Sequence, residues 1–156
     1  ACLGIPRVSN VGRDRSRGVR DAFRDAGVPV DERLFSEIDF NEAAAERRTA
    51  ELLLSDTPPT ALLVRHDVAA RGAMRAIYAA GLRIPEDISI IGNGDILGSD
   101  MFRVPLTTVR FPARQMADFC VKTLLDMLAG RDVVPETTVF DVELVLRAST
   151  AKPLRP

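Results

Sequence analysis

Thr60-Ala61-Leu62-Leu63-Val64-Arg65, a helical pattern over residues 68–80 closed by Gly81, then Ile88-Ser89-Ile90-Ile91-Gly92: this stretch decides the fold. The first piece is a short continuous apolar run, which reads as a strand buried on both faces. The second carries small residues (Ala69, Gly72, Ala73, Ala76) beside Met74 and Ile77, a helix face that another backbone can approach closely. The third is again a short apolar run, entered through the turn Ile84-Pro85-Glu86-Asp87. Strand, helix and strand in about 30 residues make a βαβ unit around a parallel sheet.

Working outward, the same alternation continues. Residues 1–5 read as a strand, followed by a helix over 13–26 with Val19, Phe23 and Ala26 on one face and Gly27 as its stop. Residues 33–38 read as a second strand, and Asn41 is placed to cap a helix over 42–54. Ser55-Asp56-Thr57-Pro58-Pro59 is a turn, because prolines cannot continue a helix. Beyond the central unit, residues 107–110 form a short fifth strand. Pro112 then suits the first turn of a helix to Ala129, with Met116, Cys120, Leu124 and Leu128 on one stripe and Gly130 as its cap. Residues 139–142 and 143–146 read as β, and the tail after Thr150 as unstructured.

Composition narrows the function. The 156 residues suffice for one domain with a sizeable core, burying roughly 70% of the unfolded surface. The net charge is −1, and the basic residues are scattered among 22 acids, so the excess positive charge that drives non-specific phosphate binding is missing. No apolar run approaches the ~20 residues needed to cross a bilayer. The opening Ala1-Cys2-Leu3-Gly4-Ile5-Pro6 reads as the inside of a strand rather than a leader, which suggests a piece of a longer, cytoplasmic protein. Cys2 and Cys120, far apart and without a nearby histidine, are expected to be two buried thiols rather than a disulfide or metal site. One histidine and no CxxC make zinc improbable, and neither a metal nor a cofactor is expected.

Several segments together resemble one family: Arg15-Ser16-Arg17-Gly18-Val19, His66-Asp67-Val68-Ala69 after the third strand, and Gly72-Ala73-Met74-Arg75-Ala76. To these are added the run from Gly81 to Gly92, Pro105-Leu106-Thr107-Thr108-Val109, and Arg147-Ala148-Ser149-Thr150. In that order and spacing they are similar to the C-terminal half of lactose/galactose-repressor (LacI/GalR) regulators. The resemblance implies an α/β fold: a Rossmann-like three-layer sandwich with a mainly parallel sheet, of the type I periplasmic-binding-protein-like kind. Residues 1–110 would be the C-terminal effector-binding subdomain, and 111–140 a segment belonging to the N-terminal subdomain. Residues 141–150 would be a final strand returning to the sheet, and 151–156 a tail. The DNA-binding head would lie outside this chain. The function implied is effector sensing and dimerisation in a repressor, with no catalysis; the partners are a sugar-, polyol- or nucleoside-like effector, a second copy of the chain, and operator DNA through the head alone.

The resemblance also points to residues. Arg15 falls where the family's effector-binding arginine stands, although from spacing alone it would be one surface arginine among Arg13, Arg17 and Arg20. A guanidinium can fork onto hydroxyls, a carboxylate or a phosphate. Phe40 matches an aromatic on which the family stacks a ring; taken alone it would be core. His66 replaces the usual effector-contacting Asn, and a neutral imidazole both donates and accepts. Asp67 reads as the cap of the helix it opens. In Gly92-Asn93-Gly94-Asp95 the family commonly has two adjacent acids, the first accepting from effector hydroxyls. Gly94 stands at that place, so either Asn93 supplies the acceptor or the ligand differs from a common hexose; Asp95 fits the second, usually structural, acid and is counted with Arg15, Phe40, His66 and Asn93 as an effector-site residue. Met74, Ile77, Met101 and Phe102 fall where the family dimerises, the competing reading being cover for the domain's own core. For residues 116–128 the apolar face is expected to be covered by a neighbouring chain or a refolded arrangement. Two other function classes share parts of the pattern: a periplasmic sugar-binding protein, and a small flavodoxin-like enzyme. The latter has no visible Ser-His-Asp or Cys-His set, Walker loop or GxGxxG.

Overall fold

Six strands in the order β2-β1-β3-β4-β5-β6 form one sheet in the computed structural model, which describes residues 1–4, 10–39, 41–133 and 137–152. The strands are β1 (Cys2–Gly4), β2 (Phe35–Glu37), β3 (Ala61–Val64), β4 (Ser89–Gly94), β5 (Thr107–Arg110) and β6 (Glu143–Val145). The first five run parallel; β6 alone returns antiparallel, pairing Thr108 with Val145 and Arg110 with Glu143. The helices are α1 (Asn10–Asp25), α2 (Glu42–Leu53), α3 (Asp67–Ala79) and α4 (Ala113–Leu128). The expected Phe40, the end of the first strand at Ile5 and residues 153–156 lie outside the described residues.

Period-two alternation sorts the strand side chains onto two faces. Leu3, Leu62, Val64, Ile90 and Leu106 form one core with Ala45 and Leu52 of α2 and Ala69, Ala70, Ala73, Met74 and Ile77 of α3. Small residues make this pairing possible. A side chain at Gly72 would overlap the Glu42 carbonyl, so α2 and α3 meet backbone to backbone there. On the rim, Glu42 pairs with Arg71 and Arg75, and Glu46 with Arg75 at 2.8 Å. Met74 (3% exposed) and Ile77 (0%) are thus packed into the core of this chain, beneath the surface where a partner would lie.

The other face carries Phe35, Cys2, Leu63 and Ile91, and among the described residues α1 is the helix that lies over it. Phe23 meets Phe35 edge-on at 6.3 Å, and the Arg20 guanidinium lies 4.4 Å from the same ring centre. A cavity of about 380 Å³ remains between α1 and the strands, lined by Val19, Phe23, Leu63 and Ile91. Leu63 is accordingly only half-buried, so β3 is not covered on both faces as its apolar run predicts. Cys2 is buried but Cys120 is exposed, so the expectation of two buried thiols holds for one.

No residue of α4 is buried. Met116, Phe119, Leu124, Leu125, Met127 and Leu128 are 40–75% exposed, and Phe119 meets Phe140 edge-on at 5.7 Å. The expected stripe is present; among the described residues nothing else shields it. Residues 139–142 form no strand.

The end of the chain closes the sheet through polar contacts. Ser149 Oγ donates to the Ile90 carbonyl (2.7 Å) and accepts from the Thr107 N–H (2.8 Å), wedged between β4 and β5. The Arg147 N–H donates to Thr107 Oγ1 at 3.0 Å. The Arg147–Thr150 ending therefore has a packing role that its polar side chains do not advertise.

Candidate functional site

The strand order turns back on itself at β1, which lies between β2 and β3. In an open α/β sheet, ligands settle outside the carboxyl ends of the strands at such a point. Arg15, Arg65 and His66 stand there.

Arg65 follows the last residue of β3 and continues its ladder, donating its N–H to the Leu3 carbonyl at 3.0 Å. Its guanidinium lies flat over Gly4: a Cβ at Gly4 would come within 2.7 Å of Arg65 Cζ and Nε. From there Nη1 donates to Ser16 Oγ (3.0 Å) and Nη2 to the Gly12 carbonyl (3.3 Å), pinning the first half of α1 to the sheet. Buried arginine was not legible as a site residue; the signals were a charged residue ending an apolar run and a glycine in the neighbouring strand. Burial lowers the Arg65 pKa, yet a guanidinium stays protonated across the working range.

Pinning α1 places Arg15 at the mouth. Its Nη1 lies 3.4 Å from the Arg65 carbonyl, and its guanidinium 5.4 Å from the Phe111 ring centre. Arg15 is half-buried, and its pKa is lowered by burial and then by the positive charge of Arg65. No carboxylate among the described residues pairs with it.

His66, not Asp67, is the N-cap of α3: Nδ1 accepts from the Val68 N–H at 3.3 Å. In the neutral ring the proton therefore sits on Nε2 as a donor. Burial lowers the His66 pKa, Asp67 opposes that shift, and Arg15 adds to it. Asp67, freed from capping, is fully buried. Its carboxylate accepts from the Thr108 hydroxyl (2.7 Å) and the Ile96 N–H (3.0 Å). It fills the space beside Gly92, where any side chain would overlap Asp67 Oδ1.

The chain leaves β4 through two residues at positive φ, Gly94 (132°) and Asp95 (49°). Gly94 suits that backbone; the side chain an acid would offer is missing. Asp95 is committed internally. Oδ1 accepts from Arg147 Nη2 (2.6 Å) and Ser99 Oγ (3.1 Å), and Oδ2 from Arg110 Nε (2.6 Å). Burial pushes the Asp95 carboxyl up, but the bonds from Arg147, Arg110 and Ser99 outweigh it and hold the pKa below the usual range. Asp95 is therefore a clamp between the β4 exit, β5 and the chain end. Asn93, half-buried, shares the Val109 side of β4 and makes no side-chain hydrogen bond among the described residues.

The geometry thus brings Arg15, His66 and Asn93 to the carboxyl ends of the strands, adds Arg65 behind them, and assigns Asp95 and Asp67 to scaffolding. The surface is one open wall. A cavity of about 720 Å³, lined by Leu53, Leu54, Pro58, Ala76, Ala80 and Leu82, is at the opposite ends of the strands. Met101 is 84% exposed, whereas Phe102 is half-buried with the Arg71 guanidinium 6.0 Å from its ring centre.

Residues 1–150 match the family model of the periplasmic binding protein-like domain. The chain is 33% identical over 149 residues to the HTH-type transcriptional repressor CytR of Escherichia coli strain K12, a match covering 96% of this chain and 44% of CytR. Among solved structures it is similar to the transcriptional regulator CelR in complex with cellobiose, with a TM-score of 0.88 and 29% identity over 96% of this chain and 46% of that one. It is also similar to the lac repressor dimer bound to operator and the anti-inducer ONPF, with a TM-score of 0.86 and 32% identity over 96% of this chain and 51% of that one. The chain spans less than half the length of CytR.

Proposed function

The chain belongs to the periplasmic binding protein-like domain family, in its LacI-type regulator branch, and from that premise we propose that it is the effector-sensing part of a cytoplasmic transcription repressor. A small polar molecule, sugar-like in size, sits on the carboxyl ends of β1, β3 and β4 and is held by aimed hydrogen bonds from Arg15, His66 and Asn93. The flat apolar wall such a site needs is the role that the family resemblance gives to Phe40, which lies outside the described residues. Asp95, spent on Arg147 and Arg110, takes no part in holding it. One observation carries the reading: Arg15 is anchored through Arg65 and Ser16 at the turning point of the strand order, with no carboxylate of its own among the described residues.

An open wall with an uncovered helix beside it is half of a two-jawed cleft. The exposed α4 stripe is the contact for the facing subdomain, and closure of the two jaws over the effector is what the full-length protein transmits to operator DNA. Met101 and Phe102 contribute to a dimer surface, with Met74 and Ile77 supporting it from within. The site binds and performs no chemistry, consistent with relatives that are regulators.

The test is a thermal-shift screen of the full-length protein against sugars, polyols, nucleosides and their phosphate and acid derivatives, repeated with Arg15→Ala. A true effector stabilises by RT ln(1 + [L]/Kd), about 2.7 kcal/mol at a hundredfold excess over Kd. That stabilisation disappears in Arg15→Ala. A hit whose stabilisation is unchanged in the variant refutes the site.

A further inference from the structure

Arg15 is held at the mouth in a way that spends almost none of its donors. A guanidinium carries five N–H groups on a long, rotatable stem. Among the described residues Arg15 makes one bond, from Nη1 to the Arg65 carbonyl at 3.4 Å, longer than the roughly 2.7–3.2 Å of an ordinary N–H···O contact. Its other contact is aromatic. The guanidinium carbon lies 5.4 Å from the centre of the Phe111 ring, inside the ~6 Å reach of a cation–π attraction. The strand before it puts Phe111 there. Thr108 and Arg110 of β5 turn to one side of the sheet, where they bond Asp67 and Asp95. Alternation sends the next residue to the other side, the face on which α1 lies. The Phe111 carbonyl then accepts from the Ala113 N–H at 2.8 Å, a tight turn that fixes the backbone at the ring. Both partners are half-buried, so water competes less for the cation.

We propose that Phe111 is a positioning residue of the effector site: its ring fixes the Arg15 guanidinium by the face and leaves the N–H edge unspent for a ligand. This rests on the effector-site reading above and adds to it a residue from the exit of β5. A neighbour on the same helix shows the contrast. Arg20 also lies over a ring, that of Phe35 at 4.4 Å, but Glu32 takes its fork with two bonds, from Nε at 2.8 Å and from Nη2 at 2.5 Å. Arg20 is thereby spent on the fold. Arg15 has the ring without the acid. A carboxylate would steady it as well, yet would cancel its charge and occupy two of its donors. The electron-rich face of an aromatic ring attracts the cation and asks for no N–H. Phe111 acts through Arg15 and need not touch the ligand.

The full-length protein is treated with phenylglyoxal, which modifies guanidinium groups, and the rate at each arginine is read by peptide mass spectrometry. Phe111→Ala should raise the Arg15 rate about threefold, the effect of losing one cation–π contact, and leave Arg20 unchanged. Phe111→Tyr keeps the ring and retains the original rate. Phe111→Leu, apolar and bulky but without a π face, behaves as Phe111→Ala. An unchanged Arg15 rate in Phe111→Ala overturns the proposal, as does a Phe111→Leu rate equal to that of the unaltered protein, which would make the contact simple packing. A parallel rise at Arg20 overturns it too, because α1 as a whole has then loosened. Any sugar, polyol or nucleoside that stabilises the unaltered protein should bind Phe111→Leu about threefold more weakly and Phe111→Tyr equally well; equal binding to Phe111→Leu counts against the proposal and leaves the effector site standing. A screen in which no compound binds refutes the effector-site reading, while the modification rates still decide whether Phe111 holds Arg15.

Discussion

Replacing Asp67 by alanine probes how the carboxyl ends of the strands are held. The carboxylate is fully buried and accepts two hydrogen bonds, at 2.7 Å from Thr108 Oγ1 and 3.0 Å from the Ile96 N–H. Each bond to a charged acceptor contributes about 1.5–3 kcal/mol, and Thr108, itself buried, has no water to turn to when its acceptor is removed. The variant should therefore lose roughly 3–5 kcal/mol of unfolding free energy, the range of the severest single substitutions. For a domain of this size, at about 2–4 °C per kcal/mol, that lowers the melting temperature by roughly 6–20 °C. Urea unfolding followed by far-ultraviolet circular dichroism measures it. Thr108→Val removes one donor and leaves the carboxylate with the other, so it costs less. The double variant should be less destabilised than the two singles added together, by about 1–2 kcal/mol, since both report one bond. A loss below about 1 kcal/mol for Asp67→Ala, or strict additivity, refutes the view that this carboxylate ties α3 to β5.

Two further outcomes follow from site and core. His66 is the one histidine of the chain, and burial lowers its folded pKa below the ordinary imidazole value of 6.5. Its unfolded form takes up a proton first, so stability falls as pH drops below about 6.5; His66→Asn, which keeps a good helix cap without a titrating group, should flatten the urea midpoint between pH 7 and 5.5. A thiol reagent such as DTNB should modify Cys120 at once and Cys2 only on unfolding, and equal rates would contradict the buried position of β1.

The parallel sheet was readable because its strands are short apolar runs separated by amphipathic helices with glycine stops. The boundaries shifted by only a few residues: α1 begins at Asn10 rather than Arg13, and α3 at Asp67 rather than Val68. What periodicity could not tell was which apolar residues find cover. Leu63 and the α4 stripe look as buried in sequence as Leu62 does, yet among the described residues they are not fully covered. The family resemblance singled out Arg15 and His66, and both lie near the end of β3. Asp67 reads in sequence as the helix cap, a place that His66 takes; for Asp95, an acid at a strand end is equally able to bind a ligand or to brace a loop. Only geometry shows Asp95 already occupied by Arg147 and Arg110, and Asp67 bonded across to β5. Arg65 escaped notice because its partners, Gly4 and Ser16, are 61 and 49 residues away in sequence.

The two threads by which the chain departs from the sheet and comes back, β5 and β6, run side by side in opposite directions. Arg110 bridges them at their outer end, reaching Asp95 at 2.6 Å and Glu143 at 3.1 Å. A body suspended from both threads cannot pull on one without the other. Under the proposed two-jawed arrangement, any swing would be taken up beyond Arg110 and before Glu143, and Phe111, whose ring centre lies 5.4 Å from the Arg15 guanidinium, would carry it to the proposed effector site.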